Sequence, residues 1–108
     1  MDEQQSMVSA APNESEIRGK IVEIASIPKG PGHVWKVKIF ESKDVGDLAN
    51  FTRPLIGKVI SIYIHPDFKR KFNKSDLIEA RLKFEGDALN GSFFLVNDSA
   101  RHFAFPSK

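Results

Sequence analysis

From Ile17 onward the chain is written in short runs that alternate apolar and polar residues, with Gly, Pro and Asn between them. A period of two puts neighbouring side chains on opposite faces of an extended strand, so this pattern points to sheet. Residues 33–41 (HVWKVKIFE) set Trp35, Val37 and Ile39 against Val34, Lys36, Lys38 and Phe40. Residues 57–65 (GKVISIYIH) set Ile60, Ile62 and Ile64 against Val59, Ser61, Tyr63 and His65. Residues 77–85 (LIEARLKFE) set Ile78, Ala80, Leu82 and Phe84 against Glu79, Arg81, Lys83 and Glu85. That last run is built from good helix formers. Its strict period, followed by the Asn90-Gly91 turn signal, decides for strand.

Two further runs complete the set. Residues 17–25 (IRGKIVEIA) change phase after Ile21, and a bulge near Gly19 to Ile21 reconciles the two halves. Residues 92–97 (SFFLVN) make a fifth strand. Between the third and fourth runs, residues 66–73 (PDFKRKFN) read as a short helix. Pro66 suits its first turn, Asp67 its positive end, and Phe68 and Phe72 share one side. Residues 1–16 hold four acids, no base and few large apolar side chains, and are expected to be a disordered acidic tail. The domain is expected over residues 17–97. Residues 98–108 form a polar C-terminal tail in which Phe103 and Phe105 cover one end of the core.

The 108 residues amount to one domain. With no Cys, a disulfide scaffold, a thiolate zinc site and a Cys nucleophile are excluded. There is no apolar run of membrane-spanning length and no basic leader followed by an apolar stretch. A soluble cytoplasmic protein is the expectation.

Five short strands, four of them with one apolar face, leave long edges if laid flat, and closing them into a small barrel removes most of that edge. In strand order, with a helix between strands 3 and 4, residues 17–97 resemble the OB-fold, a five-stranded Greek-key barrel. The expected class is therefore all-β, an OB-like barrel. The rival is an SH3-like barrel, which would carry a tight turn before its last strand instead. The resemblance implies a binding module for single-stranded nucleic acid, DNA or RNA, with an oligosaccharide or protein ligand as other uses of the fold. It also implies a ligand face across strands 2 and 3 with their flanking loops. Carried over by position, that face takes Lys36, Lys38 and Phe40 from strand 2 and Tyr63 from strand 3, with Ser61 and His65 beside it. Arg81 and Lys83 come from strand 4, and Lys29, His33 and Asn90 from the loops. Lysine and arginine attract phosphates, and exposed aromatic rings stack bases, so Phe40 and Tyr63 are the expected stacking pair. The plainer reading is that alternating Lys on a strand is a solvent-facing surface, with Phe40 and Tyr63 packed under neighbouring segments. A protein-interaction subunit using residues 42–56 and the Phe-bearing C-terminus is the alternative function.

Other signals fall away on physical grounds. His65-Pro66-Asp67 matches the tripeptide of J-domain co-chaperones, but here a strand precedes it. Three scattered His do not make a metal site, and no Gly-rich phosphate loop occurs. No nucleophile has a base grouped with it, so no catalytic residue and no cofactor is expected. Lys69, Arg70, Lys71 and Lys74 read as a solvated basic face. The net charge of +2 conceals an asymmetry, because residues 17–108 hold 16 bases against 10 acids, or +6. Such a barrel suits a polyanionic partner.

Overall fold

The computed structural model describes residues 12–27, 30–86 and 91–103. Six strands run in chain order: β1 Ser15–Ser26, β2 His33–Asp44, β3 Val59–Ile64, β4 Leu77–Gly86, β5 Gly91–Leu95 and β6 Arg101–His102. A 3-10 turn, Arg53–Leu55, lies between β2 and β3. β1 pairs with β2, β2 with β3, β3 with β5, β5 with β4, and β4 again with β1, which closes a five-stranded barrel. All these pairings are antiparallel except β3 with β5, which is parallel and rests on Ile62 opposite Phe93 and Tyr63 opposite Phe94. The barrel is all-β and mixed, consistent with an OB-like topology.

The inward phase of each run builds the core. Ile17, Ile21, Val37, Ile39, Ile78 and Leu82 are fully buried, and each such side chain stabilises the fold by about 1.5–3 kcal/mol. Trp35 is also inside. Two bulges re-aim the first hairpin. Phe40 is the extra residue of β2 where Arg18 and Gly19 face Glu41 and Ile39, and Val22 is the extra residue of β1 further on. Gly19 makes the first bend possible, because a Cβ there would stand 2.3 Å from the Lys38 carbonyl oxygen. At the far hairpin the Phe84 ring lies over Gly91, in space that a Cβ would occupy.

The N-terminal boundary falls earlier than residue 17. Ser15 and Glu16 belong to β1. Just before them the Asn13 side chain donates to the Phe84 carbonyl at 2.9 Å and accepts from the Phe84 N–H at 2.7 Å. It continues the β1–β4 ladder with an amide that is not backbone. The expectation of disorder for residues 1–11 lies outside the described residues.

The expected helix over residues 66–73 is not formed: after a turn at Pro66 and Asp67 the chain has no regular structure up to β4 except a turn at Lys74 and Ser75. Fewer than three turns of helix are marginal without packing, and here both aromatics serve the barrel instead. Phe68 and Phe72 close on Trp35, with ring centroids 5.7 Å and 5.1 Å away. Three consecutive cations, Lys69 to Lys71, add repulsion to any compact turn. The segment therefore plugs the barrel end as an irregular strap. Arg70 fixes it by donating to the Ala100 carbonyl.

The C-terminal region is more ordered than a polar tail. After β5 the chain loops out and returns as β6 along β4, with His102 opposite Ile78 and Arg101 opposite Glu79. The Ser99 hydroxyl bridges the excursion by bonding both the N–H and the carbonyl of Arg81. Phe103 is half-buried under the Arg18 guanidinium, which lies 4.2 Å from the ring centroid. It packs on the outside of the barrel rather than on the core. Phe105 lies outside the described residues. No helix among the described residues is long and apolar enough to cross a membrane.

Candidate nucleic-acid interface

Strand register decides which outward side chains meet. Across the face made by β2, β3, β5 and β4, one row reads Val34, Tyr63, Phe94, Lys83. Tyr63 and Phe94 stack with centroids 5.5 Å apart and planes 28° from parallel. Both are half-buried, so each ring keeps surface open to solvent. They form the floor of a groove of about 670 Å³. Lys83, Asp67, Glu85 and Asp98 also line it, Asp67 from the turn after β3 and Asp98 from the segment after β5.

Phe94, which the strand pattern does not single out, and not Phe40, is the ring that lies beside Tyr63. The signal was available in Ser92-Phe93-Phe94. In a strand, successive side chains point opposite ways, so one of two adjacent Phe must face out. Phe93 turns inward onto Phe84 at 5.1 Å. Phe40 is half-buried at the β2 bulge, past the last β2–β3 pair at Lys38 and Val59. It lies six residues from Val34, the partner of Tyr63, or about 20 Å along the strand. The structure does not bring Phe40 and Tyr63 together.

The basic residues separate into two groups. Lys36 lies 3.9 Å from Glu23, Arg81 lies 3.6 Å from Glu14, and Lys83 bonds Glu85 at 2.7 Å. Lys38 is different. It stands opposite Lys20 across the β1–β2 ladder, and opposite Val59 across the next one. Lys58 immediately precedes Val59. Lys20, Lys38 and Lys58 are exposed, and none pairs with a carboxylate among the described residues. Lys20 and Lys58 were not singled out from sequence. The phase of β1 around Gly19 and Ile21 does place Lys20 outward, whereas the meeting with Lys38 depends on the bulge.

A second groove opens at the barrel end, about 350 Å³ in volume. Its polar lining is His33, Lys69, Arg70 and Lys71, with Phe68 and Phe72 beneath. Phe68 and Ile64 line both grooves.

The strongest charge compensation lies on another side. Glu79 projects outward from β4 as its phase requires, yet it is buried, because β6 and Arg18 cover it. It accepts from Arg18 Nε at 2.9 Å and from Arg101 Nε at 2.7 Å. Burial alone would push its carboxyl up. The hydrogen bonds from Arg101 and Arg18 outweigh that and hold it below the usual range. The hydrogen bond that Arg18 donates to Glu79 is the main cause that raises Arg18. Asp76 is lowered by the Asn73 N–H and then by His102. Asp44 is lowered by Asn50 and then by Arg53.

The Asp44 contacts explain the long β2–β3 connection. The Asn50 Oδ1 accepts from the N–H groups of Thr52 and Arg53, at 2.9 Å and 3.1 Å, while its Nδ2 donates to Ser42 and Asp44. Thr52 is fully buried. Residues 45–58 are thereby held against the end of β2.

No protein-family model, curated protein or solved structure matches the chain.

Proposed function

We propose that the chain is an OB-type, non-enzymatic module that binds single-stranded DNA or RNA with little sequence preference. One observation carries this reading. Uncompensated lysines, Lys20, Lys38 and Lys58, share the barrel's outer surface with a solvent-facing aromatic pair, Tyr63 and Phe94. Like charges placed directly opposite each other on a sheet oppose folding, so a Lys20–Lys38 pair without acids is a surface better suited to an anion than to water alone. Phosphates released from their counterions on the lysines, and bases laid on the rings, supply the two components of sequence-tolerant binding. Lys36 belongs to the same row of β2 and needs only to leave Glu23. Lys83 and Arg81 are secondary contributors, because each already has a carboxylate. Phe40 contributes at most at the far end of a longer strand.

Fluorescence anisotropy of a labelled oligothymidylate and an oligouridylate at low salt tests the reading. Binding at micromolar protein, weakening steeply as salt rises, is the expected result. No change at low salt for either oligonucleotide refutes it. A protein-interaction role is favoured by one observation, the exposure of Ile56 and Val59 at 47% and 51%. Binding to a protein through that apolar pair would resist salt.

A further inference from the structure

We infer that the bound strand follows β2 toward His33 and continues into the basic groove at the barrel end, where Lys69 and Lys71 hold its phosphates. This rests on the nucleic-acid reading above and adds its course.

Three observations fix the course. The first is the order of charge along β2. Lys38 and Lys36 point outward from its middle, Val34 follows opposite Tyr63, and His33 begins the strand at the mouth of the end groove. From Lys38 to His33 is five residues, or about 17 Å. A backbone laid along this line passes the Tyr63 ring one residue before His33 and arrives at Lys69 and Lys71.

The second is the distribution of acids. Beyond Tyr63 and Phe94, Glu85 of β4 and Asp98 after β5 line the large groove on the β4–β5 side, while Asp67 lines it from the turn after β3. Phosphates are repelled from that side, while bases can still reach the rings. The end groove has no carboxylate in its lining. Lys69 and Lys71 are exposed and pair with no acid among the described residues.

The third is how the basic strap is held. Phe68 and Phe72 anchor it on Trp35, and Arg70 reaches back to the Ala100 carbonyl and lies over the Phe72 ring at 5.5 Å. Lys69 and Lys71 are thus carried on a segment fixed at both ends, so little ordering is needed when an anion arrives. The missing helix matters here. An irregular strap presents two lysines either side of an inward-tied arginine.

The test compares the wild-type protein with the Lys69→Glu/Lys71→Glu variant on two oligothymidylates, about 6 and about 14 nucleotides long, within the usual site sizes for this kind of barrel. Both side chains are exposed, and thermal melts of each protein verify that the fold is intact. A Lys69→Gln/Lys71→Gln variant separates lost attraction from added repulsion. The expected result is a roughly tenfold loss on the longer strand against less than about twofold on the shorter. The salt slope on the longer strand should fall by about 1.4, the share of two single-strand phosphate contacts. Equal affinity of the wild-type and Gln variants for the longer strand, with binding otherwise intact, overturns the inference and leaves the nucleic-acid reading standing. Absence of binding by the wild-type protein to both strands overturns the reading and the inference with it.

Discussion

On the β1–β4 side of the barrel, Arg18, Glu79 and Arg101 form a chain of opposite charges, and Glu79 is buried within it. On the β1–β2–β3 side, Lys20 faces Lys38 with no acid between them. Both surfaces are made by the outward phase of strands in one closed barrel, and β1 contributes to both through Arg18 and Lys20, two residues apart. The first surface is complete within the molecule: its charges bind β6 and hold the C-terminal segment in place. The second is left electrostatically open. The difference separates what stabilises this fold from what the fold presents.

Removing the central carboxylate breaks the comparison on the compensated side. Glu79→Gln leaves Arg18 and Arg101 facing each other over a neutral amide, and should lower stability by about 2 kcal/mol in urea unfolding. Oligonucleotide affinity should hardly change. On the open side, Tyr63→Leu and Phe94→Leu keep apolar volume but remove the flat faces. Each should weaken binding in anisotropy titrations by about 1–2 kcal/mol, toward the lower end of what one stacked base contributes. Lys38→Glu should reduce affinity about tenfold at low salt, through one lost phosphate contact and one new repulsion. The same change places a carboxylate opposite Lys20, so stability should rise by a few tenths of a kcal/mol. A substitution that impairs binding while stabilising the fold is the sharpest statement of the contrast.

Acid gives the mildest test. Glu79, Asp76 and Asp44 are all lowered in the folded protein. Each therefore contributes stability that is fully present above the carboxylate range of the unfolded chain, and is lost as pH falls through the lower folded value. Melting temperature should be flat from neutral pH to about 5 and then decline. In Glu79→Gln the decline should be shallower, since one of the contributing groups no longer titrates.

What could be read beforehand divides along local and non-local lines. Period alone points Trp35, Val37, Ile62, Ala80 and Leu82 inward, and all five are buried, because alternation is a property of each strand by itself. The position of β6, the burial of Glu79 and the meeting of Lys20 with Lys38 depend on which strands lie side by side, and no single run encodes that. The helix over residues 66–73 failed for a related reason. Phe68 and Phe72 have helical spacing, but Trp35 claims both, and tertiary packing overrides a weak local preference. Phe40 lies apart from Tyr63 because the β2–β3 register sets Tyr63 opposite Val34, six residues away, and that register is a property of the strand pair rather than of either run.

The closure between β3 and β5 has a mechanical consequence. It consists of two residue pairs, the shortest of the contacts that shut the barrel, and the outer one is Tyr63 with Phe94. The rings proposed to receive a base sit directly over this seam. A ligand lying across both is a staple: it joins the two strands at the place where the barrel opens most easily. Part of its binding energy then acts as resistance to opening, and its presence should slow amide exchange in β5 by a larger factor than in the β1–β2 hairpin.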